Sequence, residues 1–218
     1  MIVNKSDKRL FVHVPKVGGS TVRDYLCRHG FIGNYSLSIR LATNYAWQIN
    51  PHLCWKYNLF SKHGLPTALR EVDFSDYVLG GMIRNPIIWL KSLYFYNQRT
   101  LNRGSALAKR FSFDEWLGRH IKGQPMRQCD FFRESCRFKE TVVTAFDETS
   151  GSIQEFLIEF LGEPLDSPIK HLNSNPSKNE GFFEISDTSH KLMSAYFAED
   201  IELYESKSAK DNSSNCMP

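Results

Sequence analysis

Residues 15–21 read Pro-Lys-Val-Gly-Gly-Ser-Thr, between a short apolar run and the start of a helical pattern. Such a strand-to-helix junction is where α/β proteins bind ligands, outside the carboxyl ends of strands and at helix N-termini. Gly18 and Gly19 let the backbone approach an anion closely, and the N–H groups that follow point at it. Ser20 and Thr21 add hydroxyl donors. The group this suits is a phosphate. Lys16 stands before the glycines, whereas the GxxxxGK[ST] nucleotide loop carries its lysine after them. From the strand end, Lys16 reaches over the loop toward a bridging oxygen, where it can neutralise charge building on a leaving group. A Gly-Gly turn with an exposed lysine is the plainer alternative.

A second constellation lies in GGMIRNPIIWLKSLYFYN. Arg84 ends an apolar strand pattern, and Ser92 falls two turns into the helix that Pro86 opens, on the side facing back toward the strand end. Arg84 offers a planar fork for a phosphate and Ser92 a hydroxyl donor. The alternative is an arginine paired with a carboxylate and a packing serine. Two anion loops in a small α/β chain fit a ligand phosphorylated at both ends.

Together, PKVGGST and RNPIIWLKSLY resemble the two cofactor loops of the sulfotransferases that use 3′-phosphoadenosine 5′-phosphosulfate (PAPS). The Gly-Gly form and the S-x-Y ending are more similar to the carbohydrate sulfotransferases, the heparan 2-O type included, than to the phenol and steroid enzymes. The resemblance covers residues 9–29 and 77–98. More weakly, YFAEDIELYE resembles the helix that often closes these domains. It implies a P-loop-like α/β fold, PAPS as sulfuryl donor, the desulfated product PAP, and transfer without an obligatory metal. Lys16 would contact the bridging oxygen of the phosphosulfate, and Gly18, Gly19, Ser20 and Thr21 would line the 5′ site. Arg84 and Ser92 would hold the 3′-phosphate. Lys178, in the polar stretch HLNSNPSKNEGF, is a candidate for a loop covering the cofactor, against the ordinary reading of a solvated loop. Trp89 stands where many members carry a second arginine.

Transfer to a hydroxyl needs a group that takes its proton, and histidine is the usual choice near neutral pH. Of the seven histidines, His63 in FSKHG is the best placed, at the end of a strand pattern, and it resembles the proposed base of the carbohydrate enzymes. His171 is second. His13 lies inside the first strand and reads as a core residue, while His29 and His120 sit near helix C-termini. The acceptor is expected to be a carbohydrate or small molecule. Tyr45, Trp47, Trp55 and Tyr57 suit either a stacking platform or a core. A P-loop-type kinase or nucleotide hydrolase is the rival function, and a catalytically inactive PAP-binding protein is another.

The elements that must position these residues follow from periodicity and caps. Strands are expected at Arg9–Val14, Tyr57–Ser61, Tyr77–Ile83 and Thr141–Phe146. Helices are expected at Ser20–His29, Ile87–Gln98, Phe113–His120, Ile153–Leu161 and Ser189–Tyr204. Ser112 with Glu115 forms a capping-box pattern, and Gly30 and Gly162 are stop signals. Strands alternating with helices predict an α/β fold: one domain over 1–206, a central parallel sheet flanked by helices, and a disordered tail over 207–218.

The 218 residues suffice for one α/β domain with a core. A net charge of +3 is too mild to argue for nucleic acid, but it permits a basic pocket. No stretch approaches the roughly 20 apolar residues of a membrane helix, and MIVNKSDKRL lacks the apolar centre of a signal peptide. Five cysteines without CxxC spacing suggest neither a zinc site nor a disulfide framework. The expectation is a soluble, cytoplasmic protein, although a chain cut from a longer secretory protein would read the same.

Overall fold

A computed structural model describes residues 1–33, 50, 69, 71–100, 105–148, 151–170 and 184–213. The chain forms two compact units, one of Met1–Ile83 with Asp130–Asn173 and the other of Arg84–Cys129 with Ser174–Pro218.

The first unit is built on a sheet of order β1-β2-β3-β4, from Ile2–Asn4, Arg9–Phe11, Val78–Ile83 and Glu140–Ala145. The expected parallel pairing holds for β2, β3 and β4: Phe11 faces Gly80, and Gly80 faces Val142. β1 was not foreseen. It pairs antiparallel with β2 through a turn in which the Asn4 carboxamide oxygen accepts from the N–H groups of Ser6 and Asp7. Beyond Phe11 the chain stays tied to the sheet, since the Val12 N–H donates to the Gly80 carbonyl at 2.8 Å.

Apolar residues run almost unbroken along β3, as befits a strand buried on both faces. Its glycine pair explains how. A Cβ on Gly80 would stand 2.4 Å from the Phe160 ring, and one on Gly81 would stand 2.6 Å from Phe132. Successive residues point to opposite faces, so the two missing side chains admit an aromatic ring on each side of the sheet. Phe160 belongs to α5 (Ser152–Leu161), whose Phe156 also packs on Phe11 with ring centroids 5.7 Å apart. Gly162, with φ of 74°, ends α5 as its sequence position predicts. α1 (Gly19–Arg28) buries Thr21, Val22, Tyr25 and Leu26.

The second unit is helical among the described residues: α2 (Pro86–Arg99), α3 (Ser105–Arg110), α4 (Phe113–Lys122), α6 (Asp187–Tyr196) and α7 (Ala198–Ser213). The capping box is present, with the Glu115 N–H donating to Ser112 Oγ and the Ser112 N–H to the Glu115 carboxylate. α2 and α4 meet through Tyr94, whose ring lies 5.5 Å from Phe113 and 5.3 Å from Trp116.

The single helix expected over Ser189–Tyr204 is two helices, broken at Phe197. Phe197, at the break, is fully buried and meets Trp89 edge-on at 6.0 Å. α7 continues to Ser213, seven residues into the segment expected to be a disordered tail. Its Glu, Lys and Ala content has the intrinsic helix preference to prolong a helix already nucleated by tertiary packing. Among the described residues, no helix is long and apolar enough to cross a membrane.

His120 stacks on Trp116 with centroids 4.6 Å apart, and burial pushes its pKa down from 6.5 to about 4. The folded chain holds this imidazole neutral where the unfolded chain would already bind a proton. Its contribution is therefore complete above pH 6.5 and is lost as the pH falls from 6.5 toward 4. Between pH 7.5 and pH 5, denaturant unfolding should show a loss of about 2 kcal/mol from this residue. His120→Phe keeps the ring stack and should remove that share of the acid sensitivity. An unchanged loss in the variant would show that other groups govern it.

Candidate functional site

The PKVGGST loop leaves the carboxyl end of β2 and opens α1, as the sequence predicts. Its backbone is unusual. Lys16 has φ of 64° and Gly18 φ of 72°, both left-handed, with Val17 between them fully buried. For lysine this region costs about 1–2 kcal/mol, so the surroundings must hold the conformation in place. The residues that follow it are closely packed. A Cβ on Gly18 would lie 2.8 Å from the Phe146 ring and 3.1 Å from Ile153. One on Gly19 would lie 3.0 Å from the imidazole of His13. The two glycines thus serve close approach within the protein. His13 is buried beneath the loop, a packed position as expected, although it lies just past the end of β2 and not inside the strand.

Gly18 is the N-cap of α1 and supplies no side-chain cap. Its carbonyl accepts from the N–H groups of Thr21 and Val22, at 2.9 and 3.3 Å. The N–H groups of Gly19 and Ser20 come before the first intrahelical bond and have no partner within the helix. Ser20 is half-buried, while the Thr21 side chain is buried. Of the two hydroxyls, Ser20 is therefore the one open to a ligand, and Thr21 belongs to the helix's packed face.

In the second unit, Arg84 directly follows the last residue of β3, and Asn85 caps α2. The Asn85 carboxamide oxygen accepts from the N–H groups of Ile87 at 3.0 Å and Ile88 at 3.3 Å, and Pro86 has no N–H to offer. This helix end is consequently occupied by its own cap. An anion held here must rely on side chains rather than on the helix amides, unlike the uncapped start of α1. Ser92 is half-buried, seven residues after Asn85, which places it on the same helix face about 10 Å further along. Trp89 is buried against Phe197.

A set of residues that sequence reading missed surrounds Arg84. The Gln128 carboxamide is fully buried and clasps the Arg84 backbone at both ends. Its Oε1 accepts the Arg84 N–H and its Nε2 donates to the Arg84 carbonyl, each at 2.8 Å. Gln128 is held in turn by Asp200, whose carboxylate accepts from the N–H groups of Gln128 at 3.0 Å and Cys129 at 2.8 Å. Burial pushes the Asp200 carboxyl above its ordinary pKa, against the pull of these donors. An asparagine before a proline is a legible cap signal. Nothing local in MRQCD or AEDIEL marks Gln128 or Asp200 as buried.

The candidate residues fall in different units: Lys16, Gly18, Gly19, Ser20 and Thr21 in the first, Arg84 and Ser92 in the second. His63, Lys178, His171 and the aromatic set Tyr45, Trp47, Trp55 and Tyr57 lie outside the described residues. What fold and site define is an α/β protein with an uncapped, glycine-led helix at the carboxyl end of a parallel strand. Comparison with family models, with curated proteins and with solved structures gives no match to this chain.

Proposed function

We propose that this chain is a PAPS-dependent sulfotransferase with a P-loop-like fold, moving a sulfuryl group to a hydroxyl of a carbohydrate or small-molecule acceptor. The observation that carries the reading is the PKVGGST junction. Its lysine is held left-handed at a strand end, ahead of a helix start with two amides unclaimed by the helix. The RNP segment supports it as a second grip built on side chains, Arg84 and Ser92.

In this reading the amides of Gly19 and Ser20, with the Ser20 hydroxyl, receive the 5′-phosphosulfate, and Gly18 and Thr21 shape the loop. Arg84 and Ser92 receive the 3′-phosphate. The acceptor oxygen attacks sulfur in line, forming a new S–O bond as the bond from sulfur to the bridging oxygen breaks. That oxygen leaves with the 5′-phosphate as PAP, carrying the electron pair, and Lys16 neutralises the charge that builds on it. His63 takes the acceptor proton, and Lys178 helps cover the bound nucleotide.

Thermal unfolding with PAP and with ATP–Mg²⁺ separates this reading from a P-loop kinase or hydrolase. PAP at about 100 times its Kd should stabilise the protein by about 2.7 kcal/mol and raise Tm by roughly 5–10 °C. ATP–Mg²⁺ should leave Tm unchanged. The reverse pattern would overturn the assignment.

A further inference from the structure

We propose that Gln128 and Asp200 are positioning residues for Arg84, a relay that fixes the root of the arginine's side chain and so tunes recognition of the nucleotide's 3′-phosphate. The inference rests on the proposed role of Arg84 and extends it to residues that no motif marks.

The geometry is specific. A carboxamide pairs with both backbone polar groups of one residue, 44 positions away in sequence, as a neighbouring strand would. Gln128 therefore fixes the peptide units on either side of the Arg84 Cα, from which the guanidinium must be aimed. The next tier fixes Gln128. Asp200, in the first turn of α7 and 1% exposed, receives two N–H groups from the 128–129 backbone, 72 and 71 positions distant. Its neighbour Glu199 accepts from Arg127 at 2.9 Å and from the Cys129 thiol at 3.5 Å. The segment 127–129 is thus pinned to α7 on both sides of Gln128.

Burying a carboxylate and a carboxamide is an expensive way to join two segments, and apolar side chains of similar volume often do so at no loss of stability. What a polar relay adds is direction. Each hydrogen bond requires a particular orientation, and a fully satisfied buried network holds a single arrangement. A long side chain meeting a phosphate gains from this, because its Cα no longer samples alternatives. The relay also gives a use to the beginning of α7, the YFAEDIELYE segment, through Asp200 itself.

Calorimetric titration of PAP and of 5′-AMP tests the inference, since the two ligands differ only in the 3′-phosphate. The wild-type chain should bind PAP roughly 10- to 100-fold more tightly than AMP, and Arg84→Ala should abolish most of that ratio. Gln128→Leu should reduce the ratio about tenfold while AMP affinity stays within a factor of two. Asp200→Asn retains one acceptor oxygen and should produce a smaller reduction of the same kind. Should Gln128→Leu fail to fold, Asp200→Asn carries the test in the same titrations.

A wild-type chain with no preference for PAP would sink the functional reading and leave the relay no phosphate to serve. A wild-type preference that depends on Arg84 but survives intact in both relay variants would overturn the positioning role alone. So would an equal loss of PAP and AMP binding, which is what a purely structural role predicts.

Discussion

Lys16→Ala should lower sulfuryl transfer from PAPS by about 10²–10³-fold while PAP affinity changes by only a few-fold. The magnitude is that of removing one preorganised electrostatic donor from a developing oxyanion. In the proposed mechanism the charge that Lys16 would meet is greatest as the bond to sulfur breaks, whereas the loop amides and Arg84 would contribute to ground-state binding as well. Lys16→Gly is the informative companion. Glycine adopts φ of 64° without a Cβ clash, so this variant relieves local strain while removing the ammonium. Its Tm should match or slightly exceed that of wild type, and its transfer rate should fall as far as that of Lys16→Ala. Normal turnover in either variant would refute the mechanism. Tm lowered in parallel with activity in both would instead assign Lys16 a structural role.

The largest effect on stability is expected at Gly80. A methyl group added there would stand 2.4 Å from the ring of Phe160, which is fully buried and stacked on Phe156 at 5.3 Å. The ring has no room to withdraw, so Gly80→Ala should cost about 3 kcal/mol, the upper end of ordinary overpacking. Alanine's smaller loss of backbone entropy offsets under about 1 kcal/mol of this. Phe160→Leu alone should destabilise by roughly 1–2 kcal/mol through the lost ring volume. Combined, the two changes should cost less than their sum by about 1 kcal/mol or more, because the smaller side chain makes room for the methyl. Strict additivity in denaturant unfolding would show that the close approach is not what makes glycine necessary.

These two positions differ in how readily they could be read from sequence. PKVGGST could be read as a candidate anion loop because its signal is local: a strand end, a glycine pair and hydroxyls within seven residues. The caps were legible for the same reason. Ser112 with Glu115, Pro86 at the start of α2 and Gly162 at the end of α5 act within one helical turn, and each is found where expected. Gly80 and Gly81 could be read only as a permissive part of a buried strand. That each admits an aromatic ring depends on Phe160 and Phe132, roughly 50 to 80 residues further along the chain.

The errors have one physical origin. β1 is only three residues long, too short for a periodicity to show, and is stabilised by pairing and burial against β2. The break falls at Phe197, which is not a helix-breaking residue and is buried against Trp89, a partner more than a hundred residues away. α7 runs past residue 206 because packing nucleates a helix that its polar composition alone would leave marginal.

Short-range chemistry was thus enough to place the strand-to-helix junctions and helix caps on which the candidate residues 16–21, 84 and 92 stand. Caps, turns and alternation work through neighbours in the chain, and one sequence contains all of them. Two matters depended on folding: the left-handed setting of Lys16 beside the close-packed Val17, Gly18 and Gly19, and the clasp of Gln128 and Asp200 on Arg84. The clasp draws its energy from burial and from hydrogen bonds between distant segments. A side chain's partner across 44 or 72 residues exists only once the tertiary structure has brought it there.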